Sequence, residues 1–284
     1  MRAALLLAAC ALACSGVARA QDHSAHGHGT MHEQAGPTAR QSAPPLPPTD
    51  HAADAYYDPA EMAKARAALR HEAGGMGASK LMIDRLEWRP SSGRDGYAWE
   101  AEGWAGGDLD RFAFKSRGEG AIGGRLDALE LQGGWSHALD PWFNLRAGIR
   151  QDIRPQPQRT YAVIAIEGLA PYWFEVEGEL FLSHKGEVSA RVEVNYDQRI
   201  TQSLILQPAA EVNLAAQQVE DLALGSGITS VELGLRLRYE IVREFAPYVG
   251  LHWERKLGGT ARLARAHGED VGGVRAVAGI RMWF

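Results

Sequence analysis

The sequence predicts an all-β protein, a transmembrane antiparallel up-and-down β-barrel of about 12 strands with a disordered N-terminal segment and a short helix. Residues 79–284 consist of alternating segments divided by turn residues, and one segment carries a row of glutamates on a single face. These segments are also long enough to cross a bilayer. We therefore expect one face of each strand to meet lipid and the other to line a lumen.

The segment from Gly168 to Ser183 shows the alternation most clearly. A soluble strand is usually about 5–6 residues long, whereas a tilted strand that crosses a bilayer needs about 9–11. Ionised glutamates without partners in a dry core would be costly, so we expect a wet lumen behind them. One face holds Phe174, Val176, Gly178, Leu180 and Leu182, and the other holds Glu175, Glu177, Glu179 and Ser183, interrupted by Phe181.

The composition excludes a bundle of membrane-spanning helices. The chain has 284 residues and a formal net charge of -5. After its first residues it contains no apolar run that approaches the ~18 residues of a spanning helix. A barrel passes this test because its apolar residues alternate with polar ones. The mild acidity gives no support for nucleic-acid binding.

Residues 1–20 are predicted to be a signal peptide. Arg2 supplies the charged start, Ala3 to Val17 the apolar core, and Ala18-Arg19-Ala20 the cleavage site. A lipoprotein signal ending at Cys10 is the alternative, but it leaves an unusually short apolar segment. Both cysteines lie in this leader, so we expect the exported chain to hold neither a disulfide nor a thiolate site.

Two short segments precede the barrel. Residues 21–57 are rich in His and Pro, with too few apolar residues for a core, and we predict a disordered periplasmic segment. Residues 58–78 are predicted to form a short helix and a linker. Asp58 can cap a helix that runs over Pro59–Ala73. Its weak apolar stripe, which includes Leu69, could dock against the barrel or plug its mouth.

Residues 79–284 are predicted to form an outer-membrane β-barrel. An even number of strands returns both ends of the sheet to the same side of the membrane. The last strand ends in Phe284, which resembles the signal that outer-membrane assembly machinery recognises. The predicted strands cover residues 80–89, 96–105, 109–118, 126–136, 142–153, 159–169, 172–183, 187–199, 203–216, 229–243, 245–257 and 271–284.

The connections between strands support this topology. Three of the expected short periplasmic links look like one turn reused, with proline beside an aromatic residue: Leu139 to Trp142, Leu169 to Tyr172 and Phe245 to Tyr248. The longest connections, Gln217 to Ser230 and Leu257 to Gly272, fall on the other side. Long loops on that side are typical of the extracellular end of a barrel.

Charged residues on the inward faces carry the chemistry of the lumen. Acidic and basic residues fall on neighbouring strands, so they can form cross-strand ion pairs. A second interpretation is a charged path for a cation, to which Glu175, Glu177 and Glu179 would contribute. The sequence leaves both interpretations open.

Several blocks of the chain resemble the copper resistance protein B family, which consists of outer-membrane barrels of bacterial copper-tolerance systems. The resemblance spans about Tyr56 to Phe284. The blocks are LMIDRLEW (Leu81 to Trp88), GLAPYWFEVE (Gly168 to Glu177), RITQSLILQP (Arg199 to Pro208), ELGLRLRYEIVREFAPYVG (Glu232 to Gly250), HWERKLGGTA (His252 to Ala261) and the terminal RMWF.

This resemblance implies a barrel in the outer membrane of a Gram-negative cell that sequesters copper or passes it between periplasm and exterior. The implied partners are outer-membrane lipid and a periplasmic copper-binding protein. The alternative is a general small-solute porin without metal selectivity. An enzyme is not expected, because Ser183 and His184 are sequence neighbours and alternation places them on opposite faces.

The metal candidates cluster in QDHSAHGHGTMH, near the predicted cleavage site. Imidazole suits Cu(II), zinc or nickel, and thioether sulfur suits Cu(I). A polar leader with incidental histidines, or a zinc scavenger, are the alternatives. A weaker candidate is His252, a lumen histidine beside Glu254 that could instead be structural. Met76 and Met82 flank the barrel entrance and could pass Cu(I) or simply pack. The clustered candidates are His23, His26, His28, Met31 and His32.

Cleavage after Ala20 would place His23 third from a free amine. The amine, two backbone amides and the imidazole could then form a square-planar set of four nitrogens, which is typical of Cu(II) or Ni(II). Cyclisation of Gln21, or cleavage elsewhere, would prevent this site. Met31 is the only methionine between the initiator and Met62, which weakens the case for a methionine-based Cu(I) store.

Overall fold

The computed structural model describes residues 51–73 and 77–284. The chain divides into two compact units, Met1–Ala55 and Tyr56–Phe284. The described part of the first unit contains a 3-10 helix over Ala52–Ala55. The predicted signal peptide and most of the His/Pro-rich segment lie outside the described residues. Among the described residues, no helix is both long and apolar enough to cross a membrane.

The second unit contains 13 β-strands and two α-helices, α1 (Pro59–Ala73) and α2 (Gly258–Ala266). The predicted ends of the twelve long strands agree with the structure to within four residues. Alternation therefore located the strands correctly. The strands are β1 (Ala78–Arg89), β2 (Gly96–Gly106), β3 (Asp110–Ala121), β4 (Leu126–Ala138), β5 (Phe143–Arg154), β6 (Arg159–Ala170), β7 (Phe174–Ser183), β8 (Val188–Tyr196), β9 (Gln198–Arg199), β10 (Leu204–Ala215), β11 (Gly227–Tyr239), β12 (Phe245–Lys256) and β13 (Val274–Trp283).

The twelve long strands close into an antiparallel barrel. Each long strand pairs with the next long strand along the chain, and β13 pairs with β1 to complete the ring. The two-residue strand β9 pairs with β10 alone and lies outside the ring. Because the number of strands in the ring is even, Ala78 and Trp283 lie at the same end, which we call the terminal end. The opposite end, the loop end, carries the long connections 216–226 and 257–273.

The barrel has an apolar outer surface and a charged interior. On β7, Leu180 and Leu182 are each 52 % exposed on the outer face, whereas Phe181 between them is 2 % exposed. Phe181 packs inside against Tyr161 and Val163. Exposed leucines on a long strand are the arrangement that a lipid-facing surface requires.

Helix α1 has the bounds that the sequence predicts. Asp58 Oδ1 accepts a hydrogen bond from the backbone N–H of Ala60 at 2.7 Å, which caps the first turn. Leu69, which the expected docking would bury, is 63 % exposed. Two of the four residues of the stripe, Met62, Ala65, Ala68 and Leu69, are alanine, so its burial would remove little apolar area from water.

Of the three links predicted to contain the same turn, two lie between strands and the third does not. The two also differ in backbone, because Pro171–Trp173 forms a 3-10 helix and residues 139–142 do not. Pro141 and Pro171 lie between strands, but Pro247 lies inside β12, opposite Ile280 of β13. Pairing of β12 with β11 begins only at Tyr248, so the proline occupies a position with a single partner strand. Strand β7 starts at Phe174 rather than at the predicted residue 172.

Helix α2 was not predicted, because its segment was assigned to an extracellular loop. Thr260, Ala261 and Ala264 form its buried face, and the helix packs against β11. The backbone N–H of Gly225 donates to Thr260 Oγ1 at 2.9 Å. The two long loops are therefore joined to each other at the loop end.

Candidate functional site

The inward face of β7 changes from exposed to buried along its row of glutamates. Glu175 is exposed, the side chain of Glu177 is 17 % exposed, and that of Glu179 is 1 % exposed. Glu179 accepts hydrogen bonds from Arg146 Nη2 at 2.8 Å and from Arg191 Nη1 at 3.3 Å. The prediction that these glutamates face water is therefore right for Glu175. It is wrong for Glu179, because arginine side chains fill the lumen around that residue.

A cavity of about 410 Å³ occupies the terminal half of the lumen. Lys115 Nζ donates to Glu177 Oε2 at 2.7 Å, whereas Glu102 and Glu175 have no ion-pair partner among the described residues. The wall is therefore acidic and keeps carboxylates available to a cation. Its seven carboxylates belong to Asp84, Glu100, Glu102, Glu167, Glu175, Glu177 and Glu193, and its five basic side chains to Lys80, Arg111, Lys115, Arg146 and Arg281.

Five charged residues cross the middle of the lumen and are called here the lumen bridge: Arg85, Glu100, Arg117, Glu193 and Glu211. Arg117 of β3 donates from Nε to Glu100 on β2 at 2.7 Å and from Nη1 to Glu211 on β10 at 2.9 Å. It also pairs with Glu193 on β8. Because β3 and β10 lie six strands apart in a ring of twelve, Arg117 joins opposite walls. Arg85 of β1 pairs with Glu100, and its Nη2 lies 3.7 Å from Glu193 Oε1.

A second cavity of about 240 Å³, called here the loop-half cavity, lies on the loop side of the bridge. Six arginines and six carboxylates line it, so its wall is balanced in charge. Glu100 lines both cavities, which places the bridge between them. Here Arg191 of β8 reaches Glu130 of β4, four strands away, with Nη2 and Oε2 2.9 Å apart.

Ion pairs also hold the loop end. Asp221, in the connection after β10, accepts hydrogen bonds from Lys185 Nζ at 3.1 Å and from Arg159 Nη2 at 3.2 Å. These hydrogen bonds hold the pKa of the Asp221 carboxyl below its usual range. The long loop 216–226 is thereby fixed to the rim of β6 as well as to α2.

Of the predicted metal-site residues, the structure describes His252 and Met82. His23, His26, His28, Met31 and His32 lie outside the described residues, as does Met76. His252 is buried in the lumen wall, and its Nε2 lies 3.7 Å from Glu232 Oε2 rather than beside Glu254. Among the described residues, no group of three or more His, Cys, Asp or Glu side chains is placed to hold a metal ion.

Met82 lies on the wall of the terminal-half cavity. Its sulfur accepts a hydrogen bond from Arg281 Nη2 at 3.5 Å, and Arg281 Nε lies 2.8 Å from Asp84 Oδ1. The thioether therefore faces the lumen beside a guanidinium.

Alternation in the sequence assigned Glu193 and Glu211 of the lumen bridge to the inward face, but Arg85, Glu100 and Arg117 were not assigned. Glu100 and Arg117 lie in alternating strands, where the same period of two would have identified them. Arg85 is different, because the register of β1 shifts between Ile83 and Arg85. A bulge of this kind changes which residues face inward, and alternation cannot locate it.

The barrel residues are similar in sequence to known proteins. A family model described as Copper resistance protein B precursor (CopB) matches residues 78–284. Copper resistance protein B of Escherichia coli is 45% identical over 204 residues, which is 72% of this chain and 69% of that protein. A copper resistance protein B homolog of Pseudomonas syringae pv. tomato is 41% identical over 206 residues, 72% of this chain and 70% of that protein.

Solved porins are also similar in fold. The NanC porin has a TM-score of 0.47 and 12% identity, with 71% of this chain and 98% of the porin covered. The KdgM porin has a TM-score of 0.44 and 8% identity, with 72% and 99% covered.

Proposed function

Because this chain belongs to the copper resistance protein B family, as its sequence predicted, we propose that its outer-membrane barrel passes copper ions between the periplasm and the exterior. The terminal end faces the periplasm, since both ends of the barrel sheet lie there and the long loops lie opposite. Copper, as Cu(II) or Cu(I), is the cargo of a protein without enzymatic activity. A periplasmic copper-binding protein delivers it, and assembly machinery inserts the barrel into outer-membrane lipid.

The acidic wall of the terminal-half cavity carries this proposal. Its seven carboxylates outnumber five basic side chains, whereas the loop-half cavity has six of each. A cleft lined by one sign of charge and enclosed by low-dielectric walls raises the local concentration of the opposite ion. A cation from the terminal end therefore first meets a wall that attracts it, with Glu102 and Glu175 free of ion pairs among the described residues.

Changing Glu102→Gln together with Glu175→Gln tests this role. Glutamine keeps the shape and removes two carboxyl groups that hold no ion-pair partner, so we expect the barrel to fold normally. The preference of the channel for K⁺ over Cl⁻ should fall, measured as the reversal potential across a KCl gradient in a planar bilayer. Copper tolerance restored to a deletion strain should fall with it.

The control for this prediction removes the same number of charges elsewhere. Asp127 and Glu220 are exposed near the loop end, so Asp127→Asn with Glu220→Gln should leave the reversal potential unchanged. A Glu102/Glu175 variant with the original cation preference and the original copper tolerance would contradict the proposal.

A general small-solute porin is the alternative that the sequence left open. Deletion of the gene distinguishes the two functions. Copper passage predicts a change in copper sensitivity with normal uptake of unrelated small solutes. Equal changes in both would favour the porin.

The proposal extends to the amino-terminal residues, which lie outside the described part of the chain. We predict that cleavage after Ala20 creates a Cu(II) site from the free amine of Gln21 and the imidazole of His23. A peptide of residues 21–32 should bind Cu(II) in a square-planar form, seen by visible absorption. Binding should weaken as the pH falls, because protons compete for the nitrogen ligands.

Three matched peptides control this measurement. Acetylation of the amine and His23→Ala should each abolish the square-planar spectrum, whereas His32→Ala should keep it. Intact-mass analysis of the exported protein shows whether the amine of Gln21 is free. A peptide that keeps the spectrum after both changes would rule out the site.

A further inference from the structure

We propose that Arg117 is the closing element of a gate in the lumen, a proposal that rests on the barrel being a passage. While its guanidinium joins the two walls, the lumen is divided into the terminal-half and loop-half cavities. When the side chain returns to its own wall, the two cavities become continuous.

The contacts of Arg117 fall into a near group and a far group. Glu100, on the adjacent strand β2, is the near partner, with Nε and Oε1 2.7 Å apart. Glu193 and Glu211, on β8 and β10, are the far partners. Only the far contacts cross the lumen, and the guanidinium can release them while it keeps Glu100. The same side chain thus has a partner in both positions.

The surroundings of Arg117 in the lumen bridge favour a side chain that can move. The side chain of Arg117 is 14 % exposed and lines the loop-half cavity, so it has water-accessible space beside it into which it can move. Its far partners have alternatives of their own, because Glu211 also lies 3.4 Å from Arg191 Nε and Glu193 lies 3.7 Å from Arg85 Nη2. Release of Arg117 therefore leaves no carboxylate of the bridge without a nearby cation, which lowers the cost of opening.

One arginine of the lumen wall, Arg150, lacks such far contacts. Arg150 is also 14 % exposed, but it pairs with Asp152 on its own strand and with Glu130 on the neighbouring strand. Its contacts lie along one wall and cross nothing. Arg150 therefore provides a matched control for removal of a buried arginine and its ion pairs.

Single-channel conductance of the full chain in planar bilayers, in KCl without copper, tests the gate. The wild-type barrel should show low conductance with brief openings. We expect Arg117→Met to raise the conductance several-fold, because no side chain then joins β3 to β10. Arg150→Met should leave it at the wild-type value.

Removal of Arg117 alone could impair folding, since it takes one cation from three carboxylates. A second variant, Arg117→Met with Glu193→Gln and Glu211→Gln, removes the charges on both walls and should fold and conduct like an open channel. Wild-type conductance in this folded triple variant would overturn the gate, as would an equal increase from Arg150→Met. Higher conductance without any change in copper tolerance would confirm the gate and count against copper passage.

Discussion

Replacement of Glu87 by alanine is expected to lower the free energy of unfolding by about 3–5 kcal/mol, because it leaves the buried Arg236 without its counterion. The Glu87 side chain of β1 has no exposed surface. It accepts hydrogen bonds from Arg236 Nε of β11 at 2.7 Å, from Arg89 Nη2 at 3.1 Å and from the Tyr248 hydroxyl of β12 at 3.2 Å. These bonds join the first strand to the last strands across the closure of the barrel. Denaturant unfolding in lipid vesicles, followed by tryptophan fluorescence, measures the loss.

Glu119 offers a control with the same chemistry and a different environment. Its carboxylate also binds Arg89, with Nη1 and Oε2 2.9 Å apart, but its side chain is 46 % exposed. Glu119→Ala should cost less than about 1 kcal/mol, as is usual for exposed ion pairs. Equal losses from the two substitutions would show that Glu87 is not central to the closure.

Gly279→Ala is expected to destabilise the barrel by about 1–3 kcal/mol through overpacking at the same closure. A Cβ at Gly279 would lie 2.6 Å from the Leu86 carbonyl oxygen and 2.7 Å from Cζ and the hydroxyl of Tyr248. The Tyr248 ring lies over this glycine, and its hydroxyl donates to Glu87. A Cβ at residue 279 would therefore displace the ring and weaken that hydrogen bond. The same unfolding measurement detects this effect.

Gly178 of β7 is the matched control, because a Cβ there would meet nothing within 4 Å. Gly178→Ala should leave stability unchanged or raise it by about 0.4–1 kcal/mol, since alanine restricts the unfolded chain. The double variant of Gly279→Ala with Glu87→Ala should lose less than the sum of the single losses, because both act through Tyr248. If the two losses of stability simply add, Gly279 and Glu87 do not act through the same tyrosine.

Local patterns determined most of the fold. The period-two alternation from Phe174 to Ser183 placed β7 and its two faces correctly, including Phe181 on the inward face. The cap at Asp58 located α1 with its correct bounds. Each of these signals depends on the backbone geometry of a few consecutive residues, which is the same in any tertiary context. Sequence blocks such as Glu232 to Gly250 also indicated the family.

The errors occurred where a neighbouring element decides the outcome. The sequence predicted that Pro247 is a turn residue, but it lies in β12. Its missing N–H costs no hydrogen bond to β11, because pairing with that strand starts at Tyr248. The segment Gly258–Ala266 reads as a loop, but packing against β11 gives Ala261 and Ala264 a buried face and makes a helix stable there. Alternation predicts that Glu179 faces water, but Arg146 of β5 and Arg191 of β8 bind its carboxylate.

The sequence by itself determined that this chain is a barrel with charged residues inside, because strand alternation is a property of adjacent residues. Only the tertiary structure decided which charges meet. Arg117 and Glu211 are 94 residues apart in the chain and face each other because closure of twelve strands sets β3 opposite β10. The ring therefore decides that some of these charges join opposite walls and divide the lumen, whereas alternation shows only that they point inward.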